Sequence, residues 1–382
     1  MTRPALALPA LLFLAPALLA GACILDLDGL AGGPPGTTSS GSGGAGTGGG
    51  GTGGMLDGAP PDSPPVPCGV LDCAACASSC QACPPLALAA GADVNAPWAL
   101  ATMDNSVYWT NKAGNTVSRR TTSGATPEML TTSIAPQAIA AALGYVVWTA
   151  QDGLWGCPSS ACDAGKKKIL DSTAPGSMEG VAFDGQTVFV TDRGDGQNGR
   201  VLACAPADCA SPIEIAKGQS SPSAIALTST SVLWADVGNG NANGNLFRAT
   251  KTGKDMTQIA SALTSPTAVA ADDTYVYFTQ WSAAGRIFRC PHGSGYCDAP
   301  EPITKAGVDL SFPLDLAIGG GRITWTESGG GTIASCPLPG CGSATPRVHA
   351  SARIGLRRVA IGPSCLLWVD DTDGGGVFQL PR

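Results

Sequence analysis

One alternation recurs seven times along this chain. An aliphatic residue is followed by an alanine, and eight residues after the alanine stands a bulky strand residue. The alanines are Ala101, Ala140, Ala182, Ala226, Ala270, Ala317 and Ala360, and the bulky anchors are Trp109, Trp148, Val190, Trp234, Phe278, Trp325 and Trp368. Just before the alanines come Leu100, Ile139, Val181, Ile225, Val269, Leu316 and Val359. Two before the anchors come Val107, Val146, Val188, Val232, Val276, Ile323 and Leu366. Residues two apart on a strand share a face, so each anchor and its companion form one apolar strand face. Successive anchors lie 39, 42, 44, 44, 47 and 43 residues apart, which matches the length of one four-stranded propeller blade.

Each unit reads as four short strands separated by Gly, Asn, Asp and Pro, an all-β signature. In the fourth unit they are Ala224–Leu227, Ser231–Ala235, Leu246–Arg248 and Gln258–Ala260. The pattern predicts an all-β, seven-bladed β-propeller over 85–382. The last unit stops at its third strand, Phe378-Gln379-Leu380, and the segment Leu86-Ala87-Leu88-Ala89 offers the missing fourth. Pairing of the two would close the ring and remove its open edges; an open β-solenoid is the alternative. The constant Ala is expected to line the axis, where blades converge and a larger side chain would collide with the next blade. The anchors are expected to fill the space between blades.

The segments Val107-Tyr108-Trp109-Thr110-Asn111, Val188-Phe189-Val190-Thr191-Asp192, Leu233-Trp234-Ala235-Asp236, Val276-Tyr277-Phe278-Thr279 and Ile323-Thr324-Trp325-Thr326 carry a degenerate Tyr-Trp-Thr-Asp motif. They resemble the YWTD and NHL-like propeller repeats over roughly 97–382, with seven units where YWTD propellers have six. That resemblance implies a protein-binding module and transfers no catalytic residue. The Ala/Gly/Pro-rich, Lys-poor composition and the Cys-Pro-x-x-x-Cys hairpins resemble cysteine-rich propeller lipoproteins of myxobacteria-like bacteria.

The N-terminal 22 residues read as a signal peptide, with Arg3 as the charged region and Ala5–Leu19 as an apolar run too short to span a bilayer. Leu19-Ala20-Gly21-Ala22-Cys23 resembles a lipobox, in which Cys23 would carry lipid; Ala20-Gly21-Ala22 also suits an ordinary cleavage site. Residues 23–67 form the lipid-anchored linker, rich in Gly, Ser, Thr, Ala and Pro from 31 onward, and 68–84 a Cys-rich segment. A 37-residue chain such as 31–67 has a mean span of about 30–35 Å, a sensible tether. The expected location is the outer membrane or cell surface, or a secreted or periplasmic state if Cys23 is not lipidated. The membrane contact would be through the lipid alone.

Fifteen cysteines exclude a reducing compartment. Eight fall into four local pairs, Cys157/Cys162, Cys204/Cys209, Cys290/Cys297 and Cys336/Cys341, each just after a third strand. The spacing fits a disulfide across the hairpin between the third and fourth strands. Cys68, Cys73, Cys76, Cys80 and Cys83 leave one over, and Cys365 starts the second strand of the last blade. Cys365 is therefore expected to pair with this cluster and staple the ring. A four-thiolate metal site at Cys73, Cys76, Cys80 and Cys83 is the minor reading.

The net charge of −7 gives no basic patch and argues against nucleic acid. Only two His occur, His292 and His349, both away from the axis, and no nucleophile elbow or phosphate loop is present. Propeller lyases and lactonases use a metal or His/Glu groups in the central channel. The axial strands here read as Ala, Ile, Val and Leu, so the expectation is a protein that is not an enzyme and needs no metal or cofactor. After most anchor strands come polar residues that would form an incomplete ring on one loop face. The candidate binding residues there are Asp192, Arg193, Asp195, Asp236, Trp281, Glu327, Asp370 and Asp371. Turn residues bonding their own backbone are the plainer reading of the same pattern, and Arg193-Gly194-Asp195 is not read as an adhesion motif. A Ca²⁺ site at Asp370, Asp371 and Asp373 is left open. The expected function is that of a monomeric, exported scaffold binding a protein, peptide or glycan of the envelope through its loop face. The alternatives are a propeller hydrolase or lyase acting in the central channel, and a structural envelope lipoprotein without a ligand.

Overall fold

The structure, a computed structural model, describes residues 85–382 apart from 122–125, 208, 241, 294, 364, 373 and 374. The signal peptide, Cys23, the linker and the Cys68–Cys83 cluster lie outside the described residues.

Seven four-stranded antiparallel sheets succeed one another along the chain. Blade 1 consists of an inner strand Pro97–Met103, a second strand Ser106–Asn111, a third strand Thr116–Thr121 and an outer strand Glu128–Thr132. Blades 2 to 6 repeat this order over 139–171, 178–219, 222–263, 269–302 and 313–350. Blade 7 takes its first three strands from 356–381 and its outer strand from Leu86–Ala90. There Leu86 faces Gln379, Ala87 faces Phe378 and Ala90 faces Gly376. The N-terminal strand thus closes the ring as the sequence predicts. Leu88 seals the joint, fully buried against Trp109, Leu367 and Val377.

The core is seven interblade wedges, one per seam. Every anchor is completely buried and packs toward the preceding blade: Trp109 with blade 7, Trp148 with blade 1, Val190 with blade 2, and so on round to Trp368 with blade 6. The aliphatic residue before each Ala joins the same wedge. The constant Ala behaves differently from expectation. Ala101, Ala140, Ala226, Ala270, Ala317 and Ala360 sit in the wedge toward the following blade. The size limit comes from the next blade's inner strand, and the alanine is not an axial residue.

Each inner strand of blades 1, 3, 4, 6 and 7 opens with a bulge. In blade 1 the register slips between Pro97 and Ala99, and the same slip occurs in the other four. The threonine after the anchor serves the backbone amide at this level. Ala99 N–H, Ala138 N–H, Gly180 N–H and Ala268 N–H donate to Thr110, Thr149, Thr191 and Thr279 Oγ1 at 3.1, 3.1, 2.8 and 3.0 Å. Hydroxyls at this position also reach the next blade: Thr110 donates to Gln137 O at 2.7 Å, Thr191 to Ser223 O at 2.8 Å and Thr326 of blade 6 to Arg357 O at 3.0 Å. All five threonines are fully buried, so the third letter of the motif is a polar staple between blades. Gly180 belongs to this contact: a Cβ there would stand 2.1 Å from Ser223 O.

The four local disulfides join the cysteines that the spacing pairs: Cys157–Cys162, Cys204–Cys209, Cys290–Cys297 and Cys336–Cys341, with Cα–Cα distances of 4.9, 5.1, 6.0 and 4.9 Å. Their placement corrects the expectation of a bridge across the third-to-fourth hairpin. Cys157, Cys204, Cys290 and Cys336 lie within the third strands themselves. Cys162, Cys209, Cys297 and Cys341 are not on the fourth strands. Cys162 opens a one-turn helix, Cys162–Gly165, and the other three lie in the loop ahead of the fourth strand. The reason is that this loop docks on the preceding blade before turning back. Cys297 N–H donates to Ile259 O of blade 4 at 2.7 Å, and Cys341 N–H donates to Ile303 O, just after the outer strand of blade 5, at 2.8 Å. Cys162 is buried in the wedge with Leu130 of blade 1, and Cys209 in the wedge with Ile169 of blade 2. Each bridge thus holds a loop against its neighbour and does not cross-link two paired strands. Cys365 is also disulfide-bonded. The other described cysteines are used up in the local bridges, so its partner lies outside the described residues.

Candidate functional site

The inner strands converge on an axial cavity of about 200 Å³. Every blade lines it through one register position, two residues before the constant Ala: Ala99, Ala138, Gly180, Ala224, Ala268, Asp315 and Arg358. Five small side chains leave space, and the last two fill their sector with charge. Arg358 Nη1 donates to Asp315 Oδ1 at 2.9 Å, and Val359 N–H donates to Asp315 Oδ2 at 2.9 Å. Both Asp315 oxygens are thus engaged from blade 7. Asp315 is buried, while the Arg358 side chain is 36% exposed and keeps further N–H donors for the cavity. Three blades away, Ser223 also lines the cavity, and its buried Oγ has no hydrogen-bond partner.

The expectation that the axis is wholly apolar is therefore corrected. Asp315 and Arg358 escaped notice because the repeat was read along its aliphatic and Ala columns. The column two places earlier reads Ala, Ala, Gly, Ala, Ala, Asp, Arg, and its last two residues are the signal.

One place before the lining residues Ala99, Gly180 and Arg358 come Trp98, Glu179 and Arg357, and Lys112, Arg193 and Asp371 follow the second strands of the same blades. Trp98 carries two cations, with Lys112 Nζ 3.7 Å and the Arg357 guanidinium 4.0 Å from its ring centroid. Arg357 Nε donates to Asp371 Oδ2 at 2.5 Å, and Arg193 pairs with Glu179 at 2.5 Å. Lys112 has no carboxylate partner among the described residues. Burial first, and the Arg357 charge next, push its amine below the ordinary lysine value, although Glu179 and Asp371 pull the other way. Trp98, Lys112, Glu179 and Arg357 were not among the sequence candidates; the charges following the second strands, Lys112, Arg193 and Asp371, are the trace they leave.

The predicted loop-face residues divide in two. Asp192, Asp236 and Asp370 are buried at 0, 2 and 3% exposure, so they do not present a polar ring to solvent. They tie down the loop that precedes their own blade. Asp192 Oδ1 accepts from Ser177 Oγ at 2.6 Å and Thr173 Oγ1 at 2.8 Å, and Oδ2 from Arg200 at 2.8 Å. Burial alone would raise this carboxyl; the bonds from Arg200, Ser177 and Thr173 hold it below the usual range. Asp370 is raised by burial, against the pull of Arg353, whose Nε donates to Oδ2 at 2.8 Å. Asp236 has no cationic partner among the described residues. Asn245 stands opposite it where Arg200 stands opposite Asp192. Ser220 N–H donates to Oδ2 at 2.8 Å, Oδ1 has no partner, and burial pushes the carboxyl up to about 6.

Glu327 accepts from Ser311 N–H at 2.9 Å and from Trp325 Nε1 at 3.1 Å. Asp195 is exposed and caps its own turn through Gln197 and Asn198 N–H, both at 3.0 Å. Trp281 is 40% exposed and packs on Phe312 at 4.9 Å. Arg193 and Asp371 are the two candidates that pair with residues next in the chain to the cavity lining, Glu179 and Arg357. Asp373 lies outside the described residues, and among the described residues no three His, Cys, Asp or Glu side chains are gathered as a metal site.

No protein-family model matches the chain, and no curated protein matches it. Solved structures share its fold. The hydrazine synthase of Kuenenia stuttgartiensis superposes with a TM-score of 0.63 at 12% identity, over 76% of this chain and 96% of that one. The computationally designed Ika8 protein gives 0.53 at 12% identity, over 78% and 98%. The PQQ-bound aldose sugar dehydrogenase of Streptomyces coelicolor gives 0.50 at 14% identity, over 78% and 96%. Two of these three are enzymes by name. The inference from an all-β propeller with few His to a protein that is not an enzyme is thereby overturned: the same architecture carries enzymes, and the axis here is charged where it was expected to be apolar. The likeness itself extends to the β-propeller fold.

Proposed function

We propose that this protein acts on a small molecule in its axial cavity, as a propeller hydrolase or lyase. The observation that carries this reading is the asymmetry of the axial ring. Five small residues make room beside one guanidinium held by a carboxylate. Such a pocket combines space with a few convergent polar groups. Arg358, fixed by Asp315, would receive an oxygen that gains negative charge.

The test is a panel of sugar lactones, aryl esters and uronate-containing oligosaccharides offered to the purified protein. Turnover of one member, reduced about 100-fold or more in Arg358→Ala with melting temperature retained, supports the reading. Neither turnover nor a thermal shift with any member, or turnover indifferent to Arg358→Ala, overturns it.

We further propose that the chain works as an exported lipoprotein. The lipobox-like Cys23, the Gly/Ser-rich tether and the disulfides support this. Labelled palmitate incorporated into the wild type and absent from Cys23→Ser is the expected result; equal incorporation overturns it.

A further inference from the structure

Three cations belong to the neighbouring blades 7 and 1: Arg357, Arg358, which lines the axial cavity, and Lys112. Asp371 matches the first and Asp315 the second. Nothing described matches Lys112. Its amine shares the Trp98 indole with Arg357, so two positive groups are held on one ring within electrostatic reach of each other. A half-buried pair of like charges is costly unless an anion completes it. Glu179 does not, because it is bound to Arg193.

We infer that Lys112 and Arg357, held on Trp98, receive the carboxylate of a small organic acid at the entrance of the axial cavity. This rests on the proposed use of the cavity and names its substrate class. A carboxylate would accept from Lys112 Nζ and from the Arg357 N–H groups that Asp371 leaves free. The rest of the molecule would extend toward Arg358 and the small residues Ala99 and Ala138. A neutral ligand would leave the excess charge in place, and a dication would be repelled.

The test follows the amine itself in the full-length protein. Lysines are ¹³C-dimethylated reductively and the Lys112 signal is assigned by its loss in Lys112→Arg. Sodium gluconate is then added, with sodium chloride at equal ionic strength as the reference. The expected results are a Lys112 signal that titrates at lower pH than the other lysines, moves on addition of gluconate, and shifts its midpoint upward. Arg357→Gln should weaken the gluconate response about tenfold or more. A Lys112 signal that moves no more with gluconate than with chloride overturns the inference. If turnover in the panel above depends on Arg358 while Lys112 ignores gluconate, the cavity reading stands and the acid-binding inference fails. If Lys112 responds while no panel member is turned over, the reverse holds.

Discussion

Arg358 of blade 7 and Asp315 of blade 6 meet in the axial cavity with Nη1 2.9 Å from Oδ1, and the second Asp315 oxygen holds the Val359 amide at the same distance. One carboxylate thus does two things. It joins the inner strands of adjacent blades, and it fixes the direction of the one guanidinium that the axial ring presents.

Asp315→Ala should be more damaging to the fold than Arg358→Ala. Removing the carboxylate leaves a buried backbone amide without its acceptor, costing about 1–3 kcal/mol. Removing the partly exposed guanidinium should cost under about 1 kcal/mol. Urea midpoints at constant slope measure both; equal losses would contradict the assigned division of roles.

Asp236 should make the protein less stable as pH rises from about 4 to about 6. Its folded carboxyl is raised from 3.8 to about 6 by burial. The folded state therefore holds the proton more tightly than the unfolded chain across that window, and stability falls as the proton is lost. Asp236→Asn should stabilise the protein at neutral pH by about 1–3 kcal/mol and flatten its melting temperature over that window. A destabilised Asn variant would show that the carboxylate has a cationic partner after all.

His349 acts with the opposite sign. Burial, followed by the charges of Arg347 and Arg322, lowers its pKa from 6.5 to about 4. One ring nitrogen, Nε2, lies 2.8 Å from Ser335 Oγ, and buried Nδ1 has no partner. Its contribution is complete above pH 6.5 and is lost as pH falls toward 4, because the unfolded chain takes up the proton first. His349→Gln should remove that acid loss. The two effects overlap between about pH 4 and 6, so the single variants resolve what wild-type melting curves blur.

Thr191→Val keeps the shape of the side chain and removes the staple between blades 3 and 4. Gly180 N–H and Ser223 O both lose a partner, for an expected cost of about 1–3 kcal/mol. Blade 4 carries Ala235 at the same position, so Ala235→Val should cost only its overpacking and leave the polar network untouched. Chemical denaturation of the two variants checks the contrast.

Each local bridge closes a short loop and should contribute about 2 kcal/mol in the chain-entropy model. The Cys365 bridge leads to a cysteine outside the described residues and so ahead of the closing strand, and it encloses the whole ring. Cys365→Ser should cost roughly 5 kcal/mol and expose Leu86–Ala90 to limited proteolysis, whereas Cys204→Ser with Cys209→Ser should do neither.

Most of the architecture was legible in the amino-acid order. Trp109, Trp148, Trp234, Trp325 and Trp368 recur because each seam needs the same large wedge. Leu86–Ala89 was recognisable as the missing strand of blade 7, and the four cysteine pairs by their spacing. Where Cys162, Cys209, Cys297 and Cys341 come to rest was not legible, because their loops are placed by the preceding blade, some forty residues away in the chain. The candidate site was only partly legible. Asp192, Asp236 and Asp370 looked like a surface ring, since a side chain after a strand end reads as a turn residue. Their burial comes from the preceding loop, which folds over them.

The sequence alone determined the number of blades, their order, the closure and the pairing of the local bridges, because each follows from spacing along the chain and from a face that must be buried once per repeat. Only the tertiary structure decided which register position faces the axis. In all seven blades the column with Asp315 and Arg358 lines the cavity, while the constant Ala, two places on, packs against the neighbouring blade's inner strand in the wedge. It also decided that Trp98, Lys112 and Arg357, far apart in the chain, share one place, since ring closure brings blade 7 against blade 1.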